Sequence, residues 1–153
     1  MQVLIRTISA VRPHGDNLTI VTVDNGQEVV ANLREDGTPR WREGEPCIYV
    51  PEGTIVPEDV LRERGYWDEE KGRGLLEGKK GNRVKMRRFA GFESRGLLFK
   101  VGLPGQDWSP DGPPPGKPFW ITRESLAPAD DNIYVGLGDN VAEFLGITEH
   151  VAG

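Results

Sequence analysis

The sequence predicts a small all-β barrel with one or two short helices and long loops. Two observations indicate this class. Short apolar runs recur along the first two thirds of the chain, and turn residues separate them. Glycine and proline are also frequent, with 20 and 12 of the 153 residues. This composition favours short strands joined by many turns, which is typical of small closed or partly open barrels.

The clearest strands form a hairpin. Leu18 to Val23 and Gln27 to Leu33 flank Asp24-Asn25-Gly26. An Asn-Gly pair readily adopts the positive φ angles of a tight turn, so the two strands are expected to be antiparallel neighbours. The remaining predicted strands are Gln2 to Val11, Cys47 to Val50, Arg83 to Phe89 and Gly96 to Val101.

Two short helices are predicted. Pro57 to Arg64 begins with proline and acids, ends with basic residues and is followed by Gly65. Val141 to Leu145 follows a capping Asp139 or Asn140 and precedes a glycine. Both helices are too short to be stable alone, so they are expected to pack on the barrel.

We expect one domain over residues 1–148, followed by a short tail at 149–153. A helix and a glycine-rich charged insertion occupy 58–82, and a Pro/Gly-rich loop occupies 104–118. The triple proline in that loop favours polyproline II. Two interpretations of the loop stay open: a peptide ligand for an aromatic groove, and a simple connection between strands.

Composition excludes several classes. No apolar run approaches the roughly 20 residues of a membrane span, and the N-terminus is too short and too alternating for a signal peptide. We therefore expect a cytoplasmic protein without a membrane partner. The single cysteine, Cys47, excludes an internal disulfide and lies in an apolar run, which favours a buried structural thiol.

The sequence offers little for catalysis. His14 and His150 are far apart and have no partner at metal-ligand spacing, and no phosphate-binding loop or nucleophile elbow is present. Arg34 stands where a nucleotidyl-lysine motif would require a reactive amine, and arginine does not lose its proton near neutral pH. We predict no catalytic residue, metal or cofactor, and favour binding over catalysis.

Charge is unevenly distributed. The chain carries net −5, yet residues 79–100 carry +7, so the remainder carries −12. Such a protein can present one basic face to a polyanion. The alternative is a strand edge that charge protects from aggregation. If Arg83 to Phe89 is one strand, then Arg83, Lys85, Arg87 and Phe89 share a face suited to a sugar-phosphate backbone.

Aromatic residues near these cations could stack on bases. Phe92 and Trp41 suit either stacking on an unpaired base or packing in the core, whereas packing is favoured for Phe89. Trp41 lies between Arg40 and Arg42 and makes a second, smaller basic patch.

The order of these segments resembles a known family. Asn82, Arg83, Val84, Lys85, Gly91, Ser94, Gly96 and Leu97 match its motif without a gap, and further matches are Pro13, Gly44, Tyr49, Pro57 and the segment 140–148. The chain thus resembles the N-terminal OB-fold domain of the Deinococcus-type ATP-dependent RNA ligase family. It is also loosely similar to the EMAP-type tRNA-binding OB domain, through Lys85-Met86-Arg87 and Glu93 to Gly96, with three extra residues between them.

Both resemblances imply an OB-like Greek-key barrel that binds single-stranded or tRNA-like RNA. Two positions depart from the ligase pattern: Ala90 replaces its usual arginine, and Arg95 replaces a glutamine. The family's nucleotidyltransferase domain is expected to follow where this sequence ends, so ligase chemistry is not expected of this chain alone. The alternative role is an interaction module that docks a separate catalytic ligase chain.

The resemblance and the charge pattern together assign candidate RNA-binding residues. Lys85, Arg87 and Arg88 are expected to contact phosphates, with Ser94 donating to a sugar or phosphate. The full candidate set is Lys79, Lys80, Arg83, Lys85, Arg87, Arg88, Phe92, Ser94, Arg95 and Trp41.

Overall fold

The described part of the chain is an all-β fold with two short helices, as the sequence predicts. The computed structural model describes residues 1–123 and 132–150. In chain order, the elements are β1 (Leu4–His14), β2 (Leu18–Val23), β3 (Glu28–Asn32), β4 (Pro46–Val50), β5 (Thr54–Ile55), α1 (Glu58–Glu63), β6 (Trp67–Asp68), β7 (Arg73–Gly74), β8 (Arg83–Val84), β9 (Arg87–Phe89), β10 (Phe92–Ser94), β11 (Leu97–Phe99), β12 (Phe119–Thr122), β13 (Asn132–Val135), α2 (Ala142–Leu145) and β14 (Thr148–Glu149).

A five-stranded antiparallel sheet with the order β11-β4-β1-β2-β3 forms the body of the fold. Strand β1 belongs to two pairings: residues 4–7 pair with β4, and residues 8–14 pair with β2. The register shifts between Ile8 and Ala10, and a bulge of this kind bends a strand and lets a sheet curl. The predicted hairpin is confirmed, with Gly26 at a φ of 86°.

The segment from β10 to β11 closes the barrel. Strand β11 pairs with β4 at one edge of the sheet, while β10 lies beside β3 at the other. The amide of Arg95 donates to the carbonyl of Glu28 over 2.9 Å, and the Val30 amide donates to Ser94 Oγ over 2.9 Å. One continuous segment therefore spans both edges, and the result is a small, nearly closed, OB-like Greek-key barrel.

Two apolar cores lie on opposite faces of the sheet. All five residues of β4 are buried because both of its faces are covered. Cys47 and Tyr49 belong to a core made mainly by the five-stranded sheet, and burial raises the pKa of the Cys47 thiol to about 12. Ile48 and Val50 belong to the larger core, which the two helices complete. The predicted buried cysteine is thereby confirmed.

Both predicted helices form where their end signals place them. Helix α1 follows Pro57 and ends before Gly65, which has a φ of 83°. Helix α2 ends at Gly146 in the left-handed conformation, and Asn140 Oδ1 accepts a hydrogen bond from the Ala142 amide. Val60, Leu61 and Leu145 are fully buried, so packing on the sheet compensates for the shortness of both helices.

The expected strand from Arg83 to Phe89 is wrong as a single element. It divides into β8, which pairs with β5, and β9, which pairs with β10. The chain changes partner between Val84 and Arg87, so no single ladder includes both ends. The glycine-rich stretch before it contributes to the β6–β7 hairpin. A Cβ at Gly74 would lie 2.0 Å from the Gly81 carbonyl oxygen, so a side chain does not fit at position 74.

The Pro/Gly-rich loop at 104–118 packs on the protein through its own tryptophan. The ring of Trp108 lies 4.4 Å from that of Tyr134 and 6.2 Å from that of Trp120, centroid to centroid. The Tyr134 hydroxyl donates to the Trp108 carbonyl over 2.9 Å. These contacts favour the interpretation of the loop as a connection between strands β11 and β12.

The C-terminal residues up to His150 contact the barrel. Thr148 and Glu149 pair with β5, and the His150 amide donates to the Gly53 carbonyl. Positions 151–153 of the expected tail lie outside the described residues. In the part of the chain that is described, neither helix has the length and apolar character that a membrane crossing requires.

The closing segment gives a first prediction. Gly96 has a φ of 102°, and a Cβ there would lie 2.7 Å from the Tyr49 hydroxyl. Gly96→Ala should lower the free energy of unfolding by about 3 kcal/mol, because it adds a clash to backbone strain. Urea denaturation measures the change.

Gly105→Ala is the matched control, since Gly105 has a φ of 85° but open space around its Cβ position. This variant should lower the free energy of unfolding by only about 1 kcal/mol, because alanine at a positive φ strains the backbone. Equal losses in the two variants would show that the contact with Tyr49 does not constrain the closure.

Candidate nucleic-acid interface

A groove of about 430 Å³ lies along β3, between that strand and the segment that connects α1 to β9. We call it the cationic groove because of the charged side chains that line it. These are Arg40, Arg64, Arg83, Lys85 and Arg87, with Glu77 as the acidic residue among the lining residues. The lining therefore has a net charge of +4 on a protein of net −5.

The predicted cationic face lines this groove. Arg83, Lys85, Arg87 and Phe89 all contribute, although β8 and β9 are separate strands. Of the residues that alternate with them, Val84 contributes as well. All four residues of the expected face thus lie along one groove, together with Val84 from the opposite row, although they do not belong to a single strand.

Arg64 is the best-fixed cation in the groove. Its two terminal nitrogens donate to the carbonyls of Lys100, over 3.1 Å, and Thr122, over 2.9 Å. The guanidinium also lies 5.3 Å from the centre of the Phe99 ring, and burial lowers the pKa of Arg64. Its Nε is buried without a hydrogen-bond partner among the described residues. Lys100, Thr122 and Phe99 do not line the groove, so these contacts fix the guanidinium against the body of the protein, where the charge of Glu63 also acts on it.

One ion pair lies inside the groove. Arg87 Nε donates to Glu77 Oε1 over 2.7 Å, and this bond is the main reason that the pKa of Glu77 is lowered. Arg83 and Lys85 have no ion pair within residues 1–123 and 132–150, and Arg83 Nε is buried without a partner there. Lys85 is exposed and therefore available to an external anion, whereas Arg83 is half-buried with part of its guanidinium enclosed.

Two of the predicted cations lie in a neutral patch instead. Glu93 binds both Arg88, over 3.2 Å, and Arg95, over 2.8 Å, and Arg95 also reaches Glu52 over 3.3 Å. Hydrogen bonds from Arg95 and Arg88 lower the pKa of Glu93. We call these four residues the paired patch. Its two positive and two negative charges cancel, so it attracts a phosphate less than the groove does.

Phe92 packs against cationic and aromatic neighbours outside the groove. Its ring centroid lies 5.6 Å from that of His14, and the Arg12 guanidinium lies 5.6 Å above it. The ring is only partly buried, so packing with these residues leaves part of it exposed.

Two predicted contact residues are buried. Trp41 is 5% exposed, and Lys100 Nζ lies 4.0 Å from the centre of its ring. Ser94 is 4% exposed, and its hydroxyl accepts the hydrogen bond that joins β10 to β3. Both residues border the cationic groove, but their main contacts are with the protein.

Lys79 and Lys80 lie on an exposed turn before β8 and do not line the groove. Arg64 and Tyr66, which were not predicted from the sequence, do line it. Each borders Gly65 at the end of α1, and neither lies in the basic run from 79 to 88. No spacing in the sequence connects that helix end with the basic run, because the fold alone brings them together.

The fold is similar to that of solved RNA ligases. A Naegleria gruberi RNA ligase structure with PPi matches with a TM-score of 0.58 and 24% identity, over 98% of this chain and 35% of that one. A mutant of the same ligase with ATP and Mn matches with a TM-score of 0.56 and 24% identity, over 97% of this chain and 36% of that one. At 24% identity this structural similarity shows a shared fold and nothing more, and the chain spans about a third of the ligase's length.

No protein-family model and no curated protein matches the sequence. Within the described residues, no three histidine, cysteine, aspartate or glutamate side chains come together in a group able to hold a metal ion.

A substitution of Ser94 tests whether this residue stabilises the fold rather than contacting a ligand. Ser94→Ala should lower the free energy of unfolding by about 1–2 kcal/mol, because the partly buried Val30 amide loses its acceptor. Urea denaturation measures this loss. Ser9→Ala, at an exposed position in β1, should change the free energy by no more than about 0.5 kcal/mol. A fully stable Ser94→Ala protein would contradict a role in closing the barrel.

Proposed function

We propose that this chain is an RNA-binding OB-fold domain related to the corresponding domain of RNA ligases. Its ligand is single-stranded or tRNA-like RNA. The observation that carries the proposal is the cationic groove, in which five cations face one carboxylate on an otherwise acidic protein. RNA phosphates bind to such a surface by releasing their counterions.

The chemistry of the groove suits a nucleic acid better than a simple anion. Phe89 and Tyr66 line it together with the cations, so aromatic and apolar surface is available to a base. Stacking of a base on an aromatic side chain contributes about 1–3 kcal/mol and requires little sequence preference. Phosphate contacts on one side and base contacts on the other are the two components of single-strand binding.

The relation to ligases rests on two independent observations. The ordered motif from Asn82 to Leu97 resembles the Deinococcus-type ligase domain, and the fold is similar to that of a Naegleria RNA ligase. The chain spans 35% of that ligase, so the similarity concerns one part of the ligase and not its whole activity. We therefore assign no catalytic step to this chain.

A protein-docking role is the second candidate. Leu75 and Leu137 are 46% and 59% exposed, and Leu75 lies at the groove. Single exposed leucines are ordinary on a protein surface, so this role rests more on the acidic remainder of the chain, −12 outside residues 79–100, which would suit a basic surface on a separate ligase catalytic chain. A complex with a nucleotidyltransferase that survives purification, together with absence of RNA binding, would favour this role.

The RNA-binding proposal predicts the effect of removing two groove cations. Lys85→Ala combined with Arg87→Ala should weaken binding of a fluorescent single-stranded RNA about tenfold or more at low salt. The slope of log affinity against log salt should fall in magnitude by about 1.4, since each phosphate contact in a single strand contributes about 0.7. Fluorescence anisotropy at several salt concentrations measures both quantities.

The control removes the same charge elsewhere. Arg34 and Lys71 are exposed and lie outside the lining of the groove. Replacing both with alanine should leave the salt slope nearly unchanged. If the two double variants behave alike, the groove is not the binding site, and the affinity reflects overall charge alone.

A further inference from the structure

The carboxylate inside the cationic groove has no obvious place in an anion-binding site. Glu77 is acidic, yet it lines a surface whose other charged residues are all positive. It makes a short bond to Arg87, and its backbone is held by two hydrogen bonds with Arg83, of 3.1 and 3.0 Å. The position of the acid is thus fixed by the fold rather than by a flexible loop.

We propose that the Glu77 carboxylate occupies the place of an RNA phosphate, and that the groove binds an unpaired nucleotide whose phosphate displaces this carboxylate from Arg87. This inference rests on the proposed function and names the ligand of the same site. A guanidinium binds carboxylate and phosphate oxygens in the same way, through charge-assisted hydrogen bonds.

The displacement is physically easy. The side chains of Arg87 and Glu77 are 39% and 41% exposed, so Glu77 can turn toward water without leaving a buried charge unpaired. Ion pairs this exposed contribute only about 0–1 kcal/mol. A phosphate at Arg87 would also lie beside other lining cations, Arg83 and Lys85, which have no ion pair within the described residues.

The shape of the groove selects unpaired nucleotides. Its volume of about 430 Å³ is at the lower end of the range for small-molecule sites, which suits a single nucleotide. A base stacked inside a duplex cannot enter such a concavity, whereas an unstacked base can reach the side chains of Tyr66, Phe89 and Leu97 that line it. We therefore expect single strands to bind and blunt duplexes to bind more weakly.

The test removes the competing charge without changing the shape of the side chain. Glu77→Gln should tighten binding of a fluorescent eight-nucleotide single-stranded RNA about three- to fivefold, the effect of removing one exposed ion pair. The matched control is Glu93→Gln, because Glu93 also binds an exposed arginine but belongs to the paired patch. It should change the affinity less than about twofold, and a blunt RNA duplex should bind each protein more weakly than the single strand does.

A double-mutant cycle gives the decisive comparison. If Glu77 acts by occupying Arg87, the gain from Glu77→Gln should disappear when Arg87 is already alanine. A gain that persists in the Arg87→Ala protein, or an equal gain from Glu93→Gln, would reduce the effect to overall charge and overturn the inference.

The same measurements separate the role of Glu77 from RNA binding by the protein as a whole. If wild-type protein binds RNA and Arg87→Ala weakens it, but Glu77→Gln changes nothing, the RNA-binding function stands and Glu77 does not compete. If no protein binds the single strand even at low salt, both proposals are wrong.

Discussion

The closure of the barrel between β10 and β11 is the constraint on which the rest of the structure depends. Three hydrogen bonds converge there: from the Val30 amide to Ser94, from the Arg95 amide to Glu28, and from the Tyr49 hydroxyl to the Arg95 carbonyl. They join β3, the closing segment and β4. Gly96 lies against Tyr49 in this junction, and only a residue without a Cβ fits there. The cationic groove borders this junction, so its walls are positioned by the closure and not by the charged side chains themselves.

Local charge decides where such a protein can bind a polyanion. At physiological ionic strength, exposed charges are screened over about 8 Å, so acids on distant faces have little effect in the groove. Within the groove, four positive charges remain after Glu77 is counted, whereas the paired patch cancels itself. The basic sequence run from 79 to 100 therefore overstates the attractive surface, because several of its arginines bind nearby glutamates.

Local sequence signals predicted the local structure well. The hairpin turn at Asn25-Gly26 and the glycine ends of both helices depend on neighbouring residues and are found as expected, although Gly26 alone of the turn pair has a positive φ. Long-range contacts were not predictable in the same way. Arg64 joins the groove only because α1 packs on the sheet.

The roles of Ser94 and Arg95 illustrate the same limit. Their sequence context suggested contact with RNA, but Ser94 lies 64 positions from Val30, and Arg95 lies 43 from Glu52. Nothing in the sequence around either residue identifies such a partner. A polar residue in a binding motif can thus be required for the shape of the site, and here the shape is what keeps Arg64, Arg83 and Lys85 together on one concave surface.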